Sequence, residues 1–249
     1  MTLVPQLEPN WVLAILPEIV LTVTGIIIIL LQAFLPKVRN GMASLGIISL
    51  LGALASELWA QNGVFFGGTY SVSPLTKFFD FVFIVAAILA SMYSRDYMAR
   101  EKIQGGEFYA LLLWATAGMM MMSKGLDLLI VILGLEMLSI CIFVLVGYHR
   151  ALPISNEASL KYFLMGAFAT GFILYGTALF YGASGSTNVD VLAKYTAGLT
   201  SVSPMLTIAF VLLIAGFGFK LALFPFHAWA PDVYQGAPSP VSGWLSVAP

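Results

Sequence analysis

The chain has 249 residues, 60% of them hydrophobic and only 9% charged, with a mean hydropathy of +0.95. A soluble domain carries about a quarter charged residues, so a water-soluble fold is excluded. The net charge of -1, without blocks of like charge, offers no field to attract nucleic acid.

A membrane-crossing helix needs about 20 mostly apolar residues. Cut at that length, the chain yields seven helices, from Trp11 to Pro36, Gly41 to Ala60, Ser73 to Ser94, Phe108 to Met122, Leu126 to Tyr148, Ala158 to Ala183 and Ser203 to Trp229. An eighth begins near Pro238 and is too short to cross. The expected fold is therefore an all-α, polytopic transmembrane bundle. Residues 1–107 hold the first three helices and a loop, and residues 108–249 hold the rest. The Ser123-Lys124-Gly125 turn predicts a tight antiparallel hairpin of the fourth and fifth helices. Residues 1–10 carry no Lys or Arg, so the start of a secretory signal peptide is missing and the first apolar segment stays in the mature protein. The uncharged end at Ser246-Val247-Ala248-Pro249 reads as a piece of a longer chain.

Positive residues in short loops favour the cytoplasmic side. Lys37, Arg39, Arg95, Arg100, Lys102 and Arg150 fall on one side, against Lys77, Lys124 and Lys194 on the other. The N-terminus is expected on the non-cytoplasmic side.

Ionisable groups at a helix centre cost about 2.5–3.5 kcal/mol on insertion scales, so each needs a reason. Glu136 lies in the middle of the fifth helix and must face protein or a wet cavity, either as a structural partner for a lysine or as a proton-relay carboxylate. Lys161 is a few residues into the sixth helix. It can snorkel to the interface or turn toward Glu136, where an opposite charge at about 4 Å is worth about 4 kcal/mol at an effective dielectric near 20. Lys220 follows 25 positions free of Asp, Glu, Lys and Arg, too deep to snorkel. Pro225 lacks an N–H and clashes with the carbonyl of residue 221, so the seventh helix is expected to break near the lysine, assisted by Gly216 and Gly218. Broken helices inside membranes are tolerated where the freed carbonyls line a protected cavity, and they mark ion sites. His227 beside the break is either a proton relay or a hydrogen-bonded structural group. Glu18 and Glu57 read as interfacial, and Lys77 and Asp80 as an i,i+3 pair kept near water. Cys141, in an apolar run, reads as packing, and so do Met119 to Met122. No phosphate loop, cysteine cluster or paired histidines are present, so no redox cofactor or metal is expected in this chain.

The run GFGFKLALFPFHAWAPDVYQGAPSPV around Lys220 resembles the broken-helix motif of the antiporter-like membrane subunits of respiratory NADH:quinone oxidoreductase (complex I), in particular the subunit N group. LLIVILGLEMLSICIFVLVGYHR around Glu136 and NEASLKYFLMGAFATGFILYGTALFYGASGS around Lys161 resemble the same group in the same order, as does Leu16-Pro17-Glu18 near the start. The resemblance implies an antiporter-like fold of fourteen helices with two inverted five-helix repeats, of which residues 108–249 represent the first. It implies proton translocation driven by quinone reduction elsewhere, with Glu136 and Lys161 as a coupled pair and Lys220 as the central lysine of the broken helix. It also implies other membrane subunits of complex I as partners, including neighbouring antiporter-like ones. NADH, FMN, iron–sulfur clusters and quinone would be held by those partner subunits, in a bacterial inner membrane. A multi-subunit monovalent cation/proton antiporter shares the fold and the acid and lysine positions and is the main alternative. PDVYQGAPSPV favours subunit N.

Overall fold

The computed structural model describes residues 10–35, 41–103 and 105–249. The expected loop charges Lys37 and Arg39, and residues 1–9, where the start of a secretory signal was expected to be missing, lie outside the described residues.

A short α1 (Trp11–Ala14) leads into α2 (Leu16–Phe34), followed by α3 (Met42–Ser56), α4 (Pro74–Glu101), α5 (Glu107–Lys124), α6 (Leu128–Val146) and α7 (Pro153–Ser184). The chain continues through α8 (Val189–Ala197), α9 (Pro204–Lys220), α10 (Trp229–Gly236) and α11 (Ser239–Leu245). By length and composition α2, α4, α6 and α7 are long and apolar enough to cross a membrane, while α3 and α9 are shorter apolar helices. Large apolar side chains such as Ile26, Leu30, Leu133, Ile140, Phe168, Val211 and Ile214 are exposed on the bundle's outside, as a lipid-facing surface requires.

Helix ends follow local chemistry. Ser73 and Thr76 form a reciprocal capping box ahead of Pro74, Asp127 accepts from Leu129 N, and Ser203 accepts from Leu206 N. The third expected helix is longer than its apolar stretch. Arg95, Asp96, Arg100 and Glu101 lie in the last turns of α4 and not in a loop, because no Gly or Pro interrupts them before Lys102 closes the helix in the left-handed region. Likewise α7 starts at Pro153, where a proline is at home in the first turn. The polar stretch after Ser184 holds α8, capped by Asn188.

One element departs from an all-α reading. Residues Gly63–Phe65 (β1) and Tyr70–Val72 (β2) pair antiparallel, Gly63 with Val72 and Phe65 with Tyr70. The chain turns back through Gly67 and Gly68, at φ 64° and 93°, a backbone region glycine enters without steric cost.

The α5–α6 hairpin forms as expected. Its axes approach so closely that a Cβ on Gly118 would lie 2.7 Å from the Gly134 carbonyl oxygen, the close contact that small residues allow between membrane helices. α2 packs on α5 and α3, and α7 packs on α9 and α10. One buried apolar cluster runs from Leu21 in α2 to Leu245 in α11, Cys141 included.

Candidate proton-transfer site

The seventh expected helix breaks where the lysine stands. α9 ends at Lys220, residues 221–228 are non-helical, Ala222 takes φ 50°, and α10 resumes at Trp229. The interruption begins at Leu221, the position whose carbonyl a helical Pro225 would strike. The freed backbone finds partners. Leu223 N donates to Gly218 O at 2.8 Å, and the Trp229 indole N–H donates to Phe219 O at 2.8 Å. The Trp229 ring stacks on Tyr162 of α7 at 4.5 Å between centroids, which holds α10 against α7.

Lys220 points toward the middle of α6. Its Nζ lies 3.8 Å from Glu136 Oε1 and donates to Ser139 Oγ at 2.7 Å, with the Phe143 ring 5.7 Å away. Ser139 and Glu136 lie three residues apart, so both project from one face of α6. Glu136 Oε1 also accepts from Thr170 Oγ1 of α7 at 2.6 Å. The Lys220 side chain is 10% exposed and that of Glu136 29%. A pair at this separation is worth about 4 kcal/mol at an effective dielectric near 20, comparable with the insertion cost of one charge. The contact thus offsets part of the cost of holding both charges inside the bundle, and the hydroxyls of Ser139 and Thr170 supply further hydrogen bonds.

Lys161 is placed elsewhere. Its ammonium pairs with Glu157 one turn back on α7 and with Asp232 of α10, each at 2.8 Å, rather than with Glu136. Its side chain is 45% exposed. The i,i+4 spacing made Glu157 a findable partner, whereas Asp232 became one only when the break turned α10 back onto α7. His227 is exposed in the interrupted segment, its ring 5.7 Å from that of Phe224. Thr170, Ser139 and Asp232 are polar members of the site that hydropathy alone did not mark.

A second charged assembly overturns four expectations. Lys124 is the last residue of α5 and is fully buried, not a loop charge. Its Nζ reaches Glu18 Oε1 at 2.9 Å, Glu57 Oε1 at 2.8 Å and Asp80 Oδ2 at 2.7 Å. Glu18 and Glu57 are thus buried, not interfacial, and Asp80 is fully buried, not kept near water with Lys77. The Lys77 ammonium instead donates to the Ala60 carbonyl. Antiparallel succession explains the convergence, since the first turn of α2, the second turn of α4 and the last turns of α3 and α5 meet at one end of the bundle. The β hairpin covers that end. Tyr70 OH donates to Glu18 Oε1 at 2.7 Å, and burial together with Glu18 pushes its phenol well above the ordinary tyrosine range, so it stays a donor.

Residues 125–249 match the family described as NADH:quinone oxidoreductase/Mrp antiporter, transmembrane. Curated proteins named NADH-quinone oxidoreductase subunit N resemble most of the chain. That of Trichlorobacter lovleyi is 42% identical over 239 residues, covering 94% of this chain and 49% of the relative. That of Koribacter versatilis, named subunit N 2, is 39% identical over 247 residues, covering 94% and 50%. A chain in the structure of respiratory complex I from Thermus thermophilus with bound aureothin superposes with a TM-score of 0.71 at 34% identity, over 93% of this chain and 52% of that one. A chain of an archaeal membrane-bound sulfane sulfur reductase shares the fold, with a TM-score of 0.78 at 24% identity, over 92% and 49%. This chain spans about half the length of the curated relatives it matches.

Proposed function

The chain belongs to the NADH:quinone oxidoreductase/Mrp antiporter family, and on that premise we propose that it serves as a proton-translocating membrane subunit of an NADH:quinone oxidoreductase. The observation that carries this reading is Lys220, 10% exposed at the break of α9 and 3.8 Å from Glu136 in mid-α6. A lysine releases its proton readily when its carboxylate partner is neutralised, because burial already disfavours the lone ammonium. A proton reaching Glu136 from one side therefore discharges Lys220 to the other, and transfer of the Glu136 proton to Lys220 Nζ restores both charges. Alternation of these two states passes a proton across the middle of the membrane.

In this scheme Lys161 couples the site to the moving backbone. Its bridge to Asp232 ties α7 to α10, on the far side of the break from Lys220. His227 stands in the interrupted segment between them and is assigned to proton exchange with the adjoining aqueous path. The redox chemistry is assigned to partner subunits that hold NADH, FMN, iron–sulfur clusters and quinone, and this chain contributes no redox centre. The partners are other membrane subunits of complex I, antiporter-like neighbours among them. The setting is a bacterial plasma membrane with the N-terminus on the non-cytoplasmic side. Residues 108–249 constitute the first antiporter-like repeat.

The test is Lys220→Ala in the assembled complex, reconstituted in vesicles, with NADH oxidation and proton uptake recorded together. Coupled turnover and pumping are expected to fall by about tenfold or more, the range lost with a general acid–base group, while assembly is retained. Normal pumping by an intact complex would make Lys220 structural. A monovalent cation/proton antiporter subunit instead predicts sodium-dependent proton movement in vesicles without NADH.

A further inference from the structure

The buried assembly around Lys124 takes no part in the Glu136–Lys220 pair, yet it concentrates more charge than that site. Three carboxylates from α2, the end of α3 and α4 share one ammonium within 2.9 Å, so their oxygens crowd to within about 6 Å of one another. One lysine compensates one of the three. The other donors facing the group are hydroxyls, Tyr70 on Glu18 and Ser123 Oγ on Asp80 Oδ1 at 3.2 Å, while Lys77 on the same face is spent on a backbone carbonyl. Two uncompensated carboxylates in a buried, low-dielectric site are too costly to remain ionised together. Glu18 Oε2 and Glu57 Oε2 are also buried without a hydrogen-bond partner among the described residues, and a proton on one of these carboxyls supplies a donor where none is otherwise available.

The assembly has a way out. A cavity of about 450 Å³ on the hairpin side of the bundle is lined mainly by apolar side chains, with Glu18, Tyr70, Thr22 and Thr69 as its polar members. That space is large enough for water, and the Glu18 carboxyl and the Tyr70, Thr22 and Thr69 hydroxyls at its edge supply the polar partners water needs. We propose that Glu18, Glu57, Asp80 and Lys124 form a second proton-binding site, holding at least one exchangeable proton among the three carboxyls and loading from the hairpin side beside Glu18.

Infrared spectra of the assembled complex at neutral pH, in water and after transfer to deuterium oxide, test this directly. Glu18→Gln, Glu57→Gln and Asp80→Asn are compared with the unmodified complex. One of the three is expected to remove a protonated-carboxyl stretch that shifts in deuterium oxide. Because an amide mimics a protonated acid in shape, that same variant is expected to assemble with an unchanged melting temperature. The proposal is overturned if no variant removes such a band, if the band does not shift in deuterium oxide, or if all three variants fail to assemble, since all three negative charges would then be required. None of these outcomes depends on whether Lys220 carries protons.

Discussion

Lys124 and Lys220 each end a helix inside the bundle, each meets carboxylates from other helices, and each is largely or wholly buried. Their surroundings differ in number and in freedom. Lys124 holds three carboxylates at 2.7–2.9 Å, and its helix turns directly into α6 beneath a β hairpin. Lys220 faces one carboxylate at 3.8 Å, leans on a serine hydroxyl, and stands beside eight non-helical residues, 221–228. A charge clamped by three partners knits four helix ends together. A charge with one longer contact at a break can change partners when its proton leaves.

The comparison breaks most severely at Lys124. Lys124→Met fills the space but strips three buried carboxylates of their cation, and removal of one partner from a buried pair costs about 3–5 kcal/mol. The expected outcome is loss of the folded subunit from the membrane, read by immunodetection of the assembled complex. Wild-type levels would mean that the carboxyls are already neutral and Lys124 dispensable. Lys220→Arg sharpens the other side. Arginine keeps the positive charge beside Glu136 but does not release its proton, so assembly is expected to hold while proton pumping in vesicles collapses. Pumping retained by the arginine variant would show that only the charge matters.

A smaller effect is expected between the two sites, at the α5–α6 contact. In Gly118→Ala the new methyl meets the Gly134 carbonyl oxygen at 2.7 Å and Leu138 N at 2.9 Å, so the helices must part. Overpacking of this kind costs about 1–3 kcal/mol, a lowered melting temperature in detergent with the complex still formed. An unchanged melting temperature would show that α5 and α6 tolerate separation, and with it that Lys124 and Glu136 are not held in rigid relation.

The mostly helical architecture, the hairpin of α5 and α6, the break before Pro225 and the depth of Lys220 were legible, because each rests on a local property of apolar length, turn residues or a charge deep in a long apolar run. The Lys124 assembly was not read, although its parts were visible. Glu18, Glu57, Asp80 and Lys124 each stand near a helix end, where polarity is ordinarily explained by water, and they are scattered over more than a hundred positions of sequence. Only two further facts bury them: alternate helix ends share one face of a bundle, and the Gly67-Gly68 hairpin folds over that face. The first could have been inferred by placing the termini of alternating spans at one level. The second depended on recognising a hairpin of two three-residue strands inside a stretch that hydropathy treats as loop. For Lys161 the exposed alternative agrees with its 45% exposed side chain, and what was not read is its partner Asp232, which comes into reach through the path of the chain after the break, a path that proline chemistry starts but does not direct.

That partner supplies the smallest and most discriminating difference. Lys161 has two carboxylates at equal distance, Glu157 and Asp232, but they do different work. Glu157 belongs to the same helix and is 65% exposed in its side chain, so Glu157→Gln removes a solvent-screened contact between residues already held in register by α7. Asp232→Asn removes a contact between α7 and α10, the one ion pair among the described residues made by α10. If the break works as a hinge beside Lys220, Asp232→Asn lowers proton pumping at unchanged assembly while Glu157→Gln leaves it at the wild-type rate. Equal effects of the two substitutions would mean that Lys161 responds only to local negative charge, and that α10 does not take part in the cycle of the Glu136–Lys220 pair.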